Sequence, residues 1–329
     1  TVRIENGTVS EWGLDAPTIA PVLAVGAATG LTGTYNCKYT YVRKASSVVV
    51  AESNPSPEGN PIALTDDKLT VTVTAPSDPQ VTHIRLYRTF DDAEVYFYDQ
   101  EIAVGSTTFT SSQADGALGD EVEIDHDRPP AGSFVTGPAY DGTCFILYGN
   151  LLYYCKPKQP EYWPALYYIE VSAPQFPLKT AVFHNGQVYT FSKNEVYYIQ
   201  GTGNGSFFPL PMRCKTGAQS VMGAVSVSGK GIFHTGPDGI YLFSSGTDTK
   251  ITEDSFEPIF RGQSVGNLPG VADITTSWLK SYRNHLYFGY SSTDGGSPDQ
   301  IIVMNLDNGR SAHYAYNDGE PIEICAIAE

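Results

Sequence analysis

Asp125-His126-Asp127 is the run whose side chains could most directly hold a divalent ion, because two carboxylates and an imidazole supply oxygen and nitrogen ligands. Strand alternation throws neighbouring side chains to opposite faces, so the three are not expected to converge. The run reads instead as a solvated linker before Arg128-Pro129-Pro130. Gly223 followed by Gly229-Lys230 suggests a phosphate-binding loop, but five residues separate the glycines where four are required. Gly231 also stands where the magnesium-holding Ser or Thr belongs, and a Gly-Lys β-turn is the expectation. Asp66-Asp67, Asp91-Asp92 and Glu253-Asp254 could supply the two carboxylates of a glycosidase, yet all lie in turn-like polar surroundings and read as solvated surface.

No His-Glu-x-x-His run or zinc-spaced Cys/His set occurs. Ser292-Thr293-Asp294-Gly295-Gly296 half-matches the Asp-box hairpin of sialidase-like propellers. Asp299 occupies the position of the anchoring aromatic, and the surplus glycines suit an ordinary loop. Histidines 83, 126, 184, 234, 285 and 313 are scattered, and His184 and His234 follow Phe183 and Phe233 in strand-like runs that predict packed or half-exposed positions. Cys37, Cys144, Cys155, Cys214 and Cys325 form no CxxC and are expected to be reduced, buried thiols. Tyr153-Tyr154, Tyr167-Tyr168 and Tyr197-Tyr198 could make a sugar platform, but tyrosine is equally a strand and interface residue, and core and interface are the expectation. The residues thus nominate no catalytic group, no cofactor or cofactor-binding group, and no metal ligand.

The elements that would position these groups are strands. The 329-residue chain has 22 Tyr, 15 Phe, 32 Gly and 22 Pro, in short alternating runs cut by turn residues, and no apolar 3.6-residue period is sustained. No apolar stretch approaches the roughly 18 residues of a spanning helix, so no membrane span is expected. The net charge is −16, with 19 acidic and 8 basic residues up to Pro130 and 17 against 12 after it, which disfavours tight binding to phosphate backbones. The chain opens on the strand-like Thr1-Val2-Arg3-Ile4, as expected of a processed product or a part of a longer gene product.

Two patterns divide the chain. From residue 18 to 130, strands such as 35–41, 68–73 and 83–88 are spaced by Pro- and Asp-rich turns in the rhythm of a seven-strand sandwich, bracketed by Pro17 and Pro129-Pro130. After Pro130, turn pairs precede apolar strands at Asn150, Asn185, Lys230 and Asn284, at intervals of 35, 45 and 54 residues. That irregular period lies near the roughly 40–50 residues of a propeller blade, and residues 1–17 with 131–329 would hold about four or five blades. The predicted fold is all-β: a β-propeller-like domain from 1–17 and 131–329, with an immunoglobulin/fibronectin-III-like β-sandwich inserted at 18–130.

These residues in order resemble a family. Trp12-Gly13-Leu14-Asp15-Ala16-Pro17 leads into the insert, followed by Glu52-Ser53-Asn54-Pro55-Ser56-Pro57, Leu86-Tyr87-Arg88-Thr89, Ala117-Leu118-Gly119 and Arg128-Pro129-Pro130. Asn194-Glu195-Val196-Tyr197, Pro237-Asp238-Gly239-Ile240-Tyr241 and Ile251-Thr252-Glu253 complete the set. The chain is similar to the β-propeller tail nozzle, or tail-tubular-protein-B-like, component of short-tailed bacteriophages. The resemblance implies a non-enzymatic virion part, made in the host cytoplasm. It would assemble with other tail and adaptor proteins as a homo-oligomeric ring, commonly sixfold, through which DNA passes without specific binding. The alternative is a propeller that binds or cleaves surface glycans.

Overall fold

The computed structural model describes residues 2–5, 8–132, 134–139, 141–202, 205–252, 256–309 and 311–315, so Glu253-Asp254, Cys325 and the side chain of His313 lie outside the described residues. The protein is all-β, with 49% of the described residues in strands and 2% in helix. It forms two compact units, one of residues 1–130 with 159–166 and the other of residues 131–158 with 167–329.

The first unit begins with β1 (Val2–Glu5) and β2 (Thr8–Glu11), which pair with each other. β3 (Val22–Tyr35), β4 (Cys37–Ala45), β5 (Val48–Glu52), β6 (Ile62–Thr72), β7 (His83–Thr89), β8 (Tyr96–Ala103) and β9 (Thr108–Ser111) follow. They make two antiparallel sheets, ordered β3-β6-β9 and β5-β4-β7-β8. Period-two alternation turns Leu31, Tyr35, Leu64, Leu69, Val71 and Phe109 of the first sheet toward Cys37, Tyr39, Ile84 and Leu86 of the second, giving one sandwich core. The strand order is not that of an immunoglobulin constant domain, where the first, second, fifth and fourth strands share a sheet. Here β9 pairs along β6.

Residues 1–17, assigned by sequence to the propeller-like domain, group with this first unit. Leu14 is buried against Ala51 and Val81 of the sandwich. Gly13 at φ +80 donates its amide to Glu161, and a side chain there would crowd Arg128 and the Glu161 carbonyl at 3.1–3.3 Å.

The described residues of the second unit form four successive four-stranded antiparallel sheets, each wound up and down in chain order. The first holds β10 (Phe134–Thr136), β11 (Phe145–Tyr148), β12 (Leu151–Tyr154) and β13 (Tyr168–Glu170). The next holds β14 (Thr180–His184), β15 (Gln187–Phe191), β16 (Val196–Gln200) and β17 (Phe208–Pro211). The third comprises β18 (Ala224–Val227), β19 (Gly231–Gly236), β20 (Gly239–Ser244) and β21 (Thr247–Lys250). After the one-turn helix α1 (Glu257–Phe260) come β22 (Asp273–Tyr282), β23 (His285–Ser291), β24 (Gln300–Asn305) and β25 (Ser311–Ala315). The first strands of consecutive sheets lie side by side, β10 by β14, β14 by β18 and β18 by β22.

Separate apolar clusters fill the spaces between consecutive sheets. Phe145, Leu147 and Leu152 meet Ala181, Val188 and Ile199, while Phe191 and Val196 meet Ile232 and Phe243. Phe233 and Ile240 meet Leu279, Leu286, Phe288 and Ile302. A middle sheet is therefore covered on both faces, which requires apolar neighbours in sequence where a one-sided strand would alternate with polar residues.

Candidate functional site

The densest polar constellation lies on the outer face of the four-stranded sandwich sheet. In β7 the alternation that buries Ile84 and Leu86 turns Arg85 and Tyr87 outward. Arg85 Nη1 donates to Glu52 Oε2 at 2.7 Å and its Nε donates to Glu101 Oε2 at 2.9 Å. Tyr87 Oη and Thr40 Oγ1 donate to Glu52 Oε1 at 2.5 and 2.7 Å. Both Glu52 oxygens are thus engaged, the condition under which a carboxylate only 7% exposed is tolerated. Burial, reinforced by Glu52, pushes the Tyr87 phenol well above its ordinary range. Burial alone would raise the Glu101 carboxyl, but hydrogen bonds from Lys44 and Arg85 outweigh it and hold that group low.

The chain crosses this face after η1 (Asp115–Ala117). Gly119 donates to the Tyr98 carbonyl, Tyr98 to the Asp120 carbonyl and Val122 to the Tyr96 carbonyl, so residues 119–122 extend the β8 edge. Residues 122–132 then form no strand, and the alternation expected to separate Asp125, His126 and Asp127 does not operate. The His126 amide donates to Asn54 Oδ1 and its Nε2 meets Glu123 Oε2 at 2.8 Å. The imidazole stacks on Tyr162, with centroids 3.9 Å apart and planes 14° from parallel. One ligand atom from each of Glu123, Asp125 and His126 lies within 4.8 Å of the others. Asp127 does separate work: its carboxylate accepts from Asn54 Nδ2 and the Ala165 amide, and its carbonyl accepts from the Trp163 amide. The expected solvated linker is therefore a built segment. A pocket of about 280 Å³ opens between Glu52, Arg85, Tyr87, Glu121, Glu123 and His126.

The other sequence candidates are dispersed. Gly229-Lys230 lies in the turn between β18 and β19, and Lys230 Nζ donates to the Leu306 carbonyl at 2.9 Å. Asp294 lies in the loop between β23 and β24, which Asp299 organises by accepting from the Ser292 amide and hydroxyl at 2.8 and 2.5 Å. Asp66-Asp67, expected in a turn, lie instead inside β6 at an irregularity of its pairing with β3, where Asp66 accepts from the Gly30 amide, whereas Asp91 lies in the turn after β7 and accepts from the Thr34 amide. His234 is fully buried, with Nε2 3.1 Å from Asp248 Oδ1. Cys37, Cys144, Cys155 and Cys214 are free thiols, but only Cys37 and Cys155 are buried as expected, Cys144 and Cys214 being half-buried, and the Cys144 amide donates to Cys155 Sγ. The Glu52–Arg85 network went unread in the sequence; its signal was the polar face of the very run, 83–88, whose apolar face was recognised.

The tandem tyrosines divide between core and surface. Tyr154 and Tyr197 enter the cluster between the first two sheets of the second unit. Tyr153 pairs across the sheet with Tyr168 at 5.3 Å and stands 6.4 Å from Tyr148, and Tyr189 pairs with Tyr198 at 5.5 Å. Tyr148 is 55% exposed and Tyr168 42%. Phe208 and Leu210, on the neighbouring outer strand β17, are 46% and 38% exposed.

No family model matches the chain, and no curated protein matches it. Among solved structures it is similar to a protein of Bacteroides fragilis described as exported, at 10% identity over 93% of this chain and 80% of that one, with a TM-score of 0.34. It is similar also to YjhT, at 10% identity over 91% and 99% with a TM-score of 0.33. Apo AztD from Citrobacter koseri aligns at 9% identity over 88% and 97%, with a TM-score of 0.29.

Proposed function

We propose that the chain is a structural, non-catalytic component of a short-tailed phage tail, in which a propeller-like second unit joins copies of itself into a closed ring around the DNA exit channel. The observation that carries the reading is the apolar outer edge of the second unit. Edge strands are usually blunted by charge or proline, and β13 ends in an exposed Glu170 while β17 carries two prolines; beside these the two strands present Tyr168, Phe208 and Leu210, continued by Tyr153 and Tyr148. Pro209 and Pro211 remove backbone donors from β17, which suits contact through side chains over strand addition. Aromatic rings with few charges are the composition of an interface core. The −16 charge supports the conduit role, since acidic walls repel phosphates and leave no binding well along the path. Sedimentation of the full chain tests the reading: a closed oligomer that Tyr168→Glu dissociates supports it, and a wild-type monomer at high concentration with no place in the tail contradicts it.

A further inference from the structure

We infer that Glu123, Asp125 and His126 form a binding site for a single divalent transition ion of the zinc class, on the sandwich unit and independent of any ring. Three potential ligand atoms within 4.8 Å of one another need little movement to converge. Ligands on one zinc, each about 2.0–2.2 Å from the metal, lie about 3.3–3.6 Å apart in a tetrahedron. Glu123 can supply that movement, because its side chain is 61% exposed, while His126 is only 8% exposed and fixed by the Tyr162 stack and the Asn54 hydrogen bond. A rigid imidazole with a swinging carboxylate is a workable half-formed site.

A second observation concerns the other nitrogen of the same imidazole, across the ring from the Nε2 that faces Glu123. His126 lines the pocket together with Glu123, and its buried Nδ1 has no hydrogen-bond partner. Such an atom in a native structure ordinarily meets a water or an ion. The local charge favours a cation as well. Asp120, Glu121, Glu123 and Asp125 fall within six residues, while the nearby cations Arg85 and Lys44 are joined to Glu52 and Glu101. One imidazole among carboxylates selects zinc or a similar first-row ion over calcium and magnesium, which take oxygen ligands. Two protein oxygens and one nitrogen leave a fourth position for water.

The test is calorimetric titration of the chelator-treated full chain with zinc chloride alone, beside Glu123→Gln, Asp125→Asn and His126→Phe, the last keeping a ring against Tyr162. The inference expects one equivalent bound by the wild type and at least tenfold weaker binding in each variant. It also expects a zinc-dependent rise in melting temperature that the variants lack. No zinc binding by the wild type overturns it. So does zinc bound equally well by Glu123→Gln and Asp125→Asn, which places the metal elsewhere, and so does a calcium affinity equal to that for zinc and indifferent to His126→Phe. Glu123→Gln alters an exposed side chain, so the test holds even if His126→Phe fails to fold.

Discussion

Ile232 and Phe233 are neighbours in β19 yet serve different sheets: Ile232 packs with Phe191 and Val196 of the sheet before, and Phe233 with Leu279 and Phe288 of the sheet after. Adjacent residues of one strand thus join three sheets.

Because each residue fills its own cluster, Phe233→Ala is expected to destabilise the second unit by about 3–5 kcal/mol and Ile232→Ala by about 2–5 kcal/mol. Denaturant unfolding measures both. A loss below about 1 kcal/mol for either would mean that its cluster is not a load shared between sheets.

The repeat was legible in sequence because each sheet contains a turn pair, between the second and third strands of the first sheet and the first and second strands of the other three, and residues such as Asn185 at φ +49 and Gly186 at φ +82 adopt the left-handed conformations that hairpin turns demand. The sandwich was legible from period-two runs such as 83–88. Its topology was not, because the pairing of β9 along β6 joins residues about 40 apart and leaves no local mark. The approach of Glu123 to His126 went unread for a definite reason: only Asp125-His126-Asp127 was considered, and through strand alternation, whereas residues 122–132 leave the sheet.

Arg88 shows a similar failure of alternation to announce chemistry. It shares the inward face of β7 with Ile84 and Leu86 and is fully buried, donating to Asp115 at 2.8 Å and to the Gln113 and Thr89 carbonyls, with its guanidinium 4.7 Å from the Tyr35 ring centroid. Burial raises the Asp99 carboxyl beside it. Arg88→Met leaves these acceptors without a donor and should cost about 3–5 kcal/mol of stability to the first unit. Thermal unfolding that is unchanged or improved would refute the pairing.

Asp238 at the β19–β20 turn accepts from Tyr241 Oη at 2.6 Å and Lys250 Nζ at 2.8 Å. Burial would raise its carboxyl, but these bonds prevail and lower it below the ordinary 3.8. A lowered carboxylate stabilises the fold above its unfolded value, and that contribution is lost as pH falls through the folded one. Asp238→Asn should therefore cost at most about 1 kcal/mol at neutral pH, the group being partly exposed, and flatten the loss of stability below about pH 4. An unchanged acid limb in the variant would remove this account of Asp238.

Tyr148→Glu and Tyr168→Glu place charge on the exposed aromatic ladder without touching the buried clusters. Melting temperature should move little, while oligomer dissociation increases by at least tenfold in sedimentation. If assembly is indifferent to both, the ladder is not the contact surface.

Electron imaging of the virion tail, with the protein located by labelling, tests the central claim most directly. A closed ring of copies surrounding the DNA channel, joined through the Tyr148–Tyr168 face, is the predicted result. A single copy in the tail, or a tail that lacks the protein altogether, would contradict it.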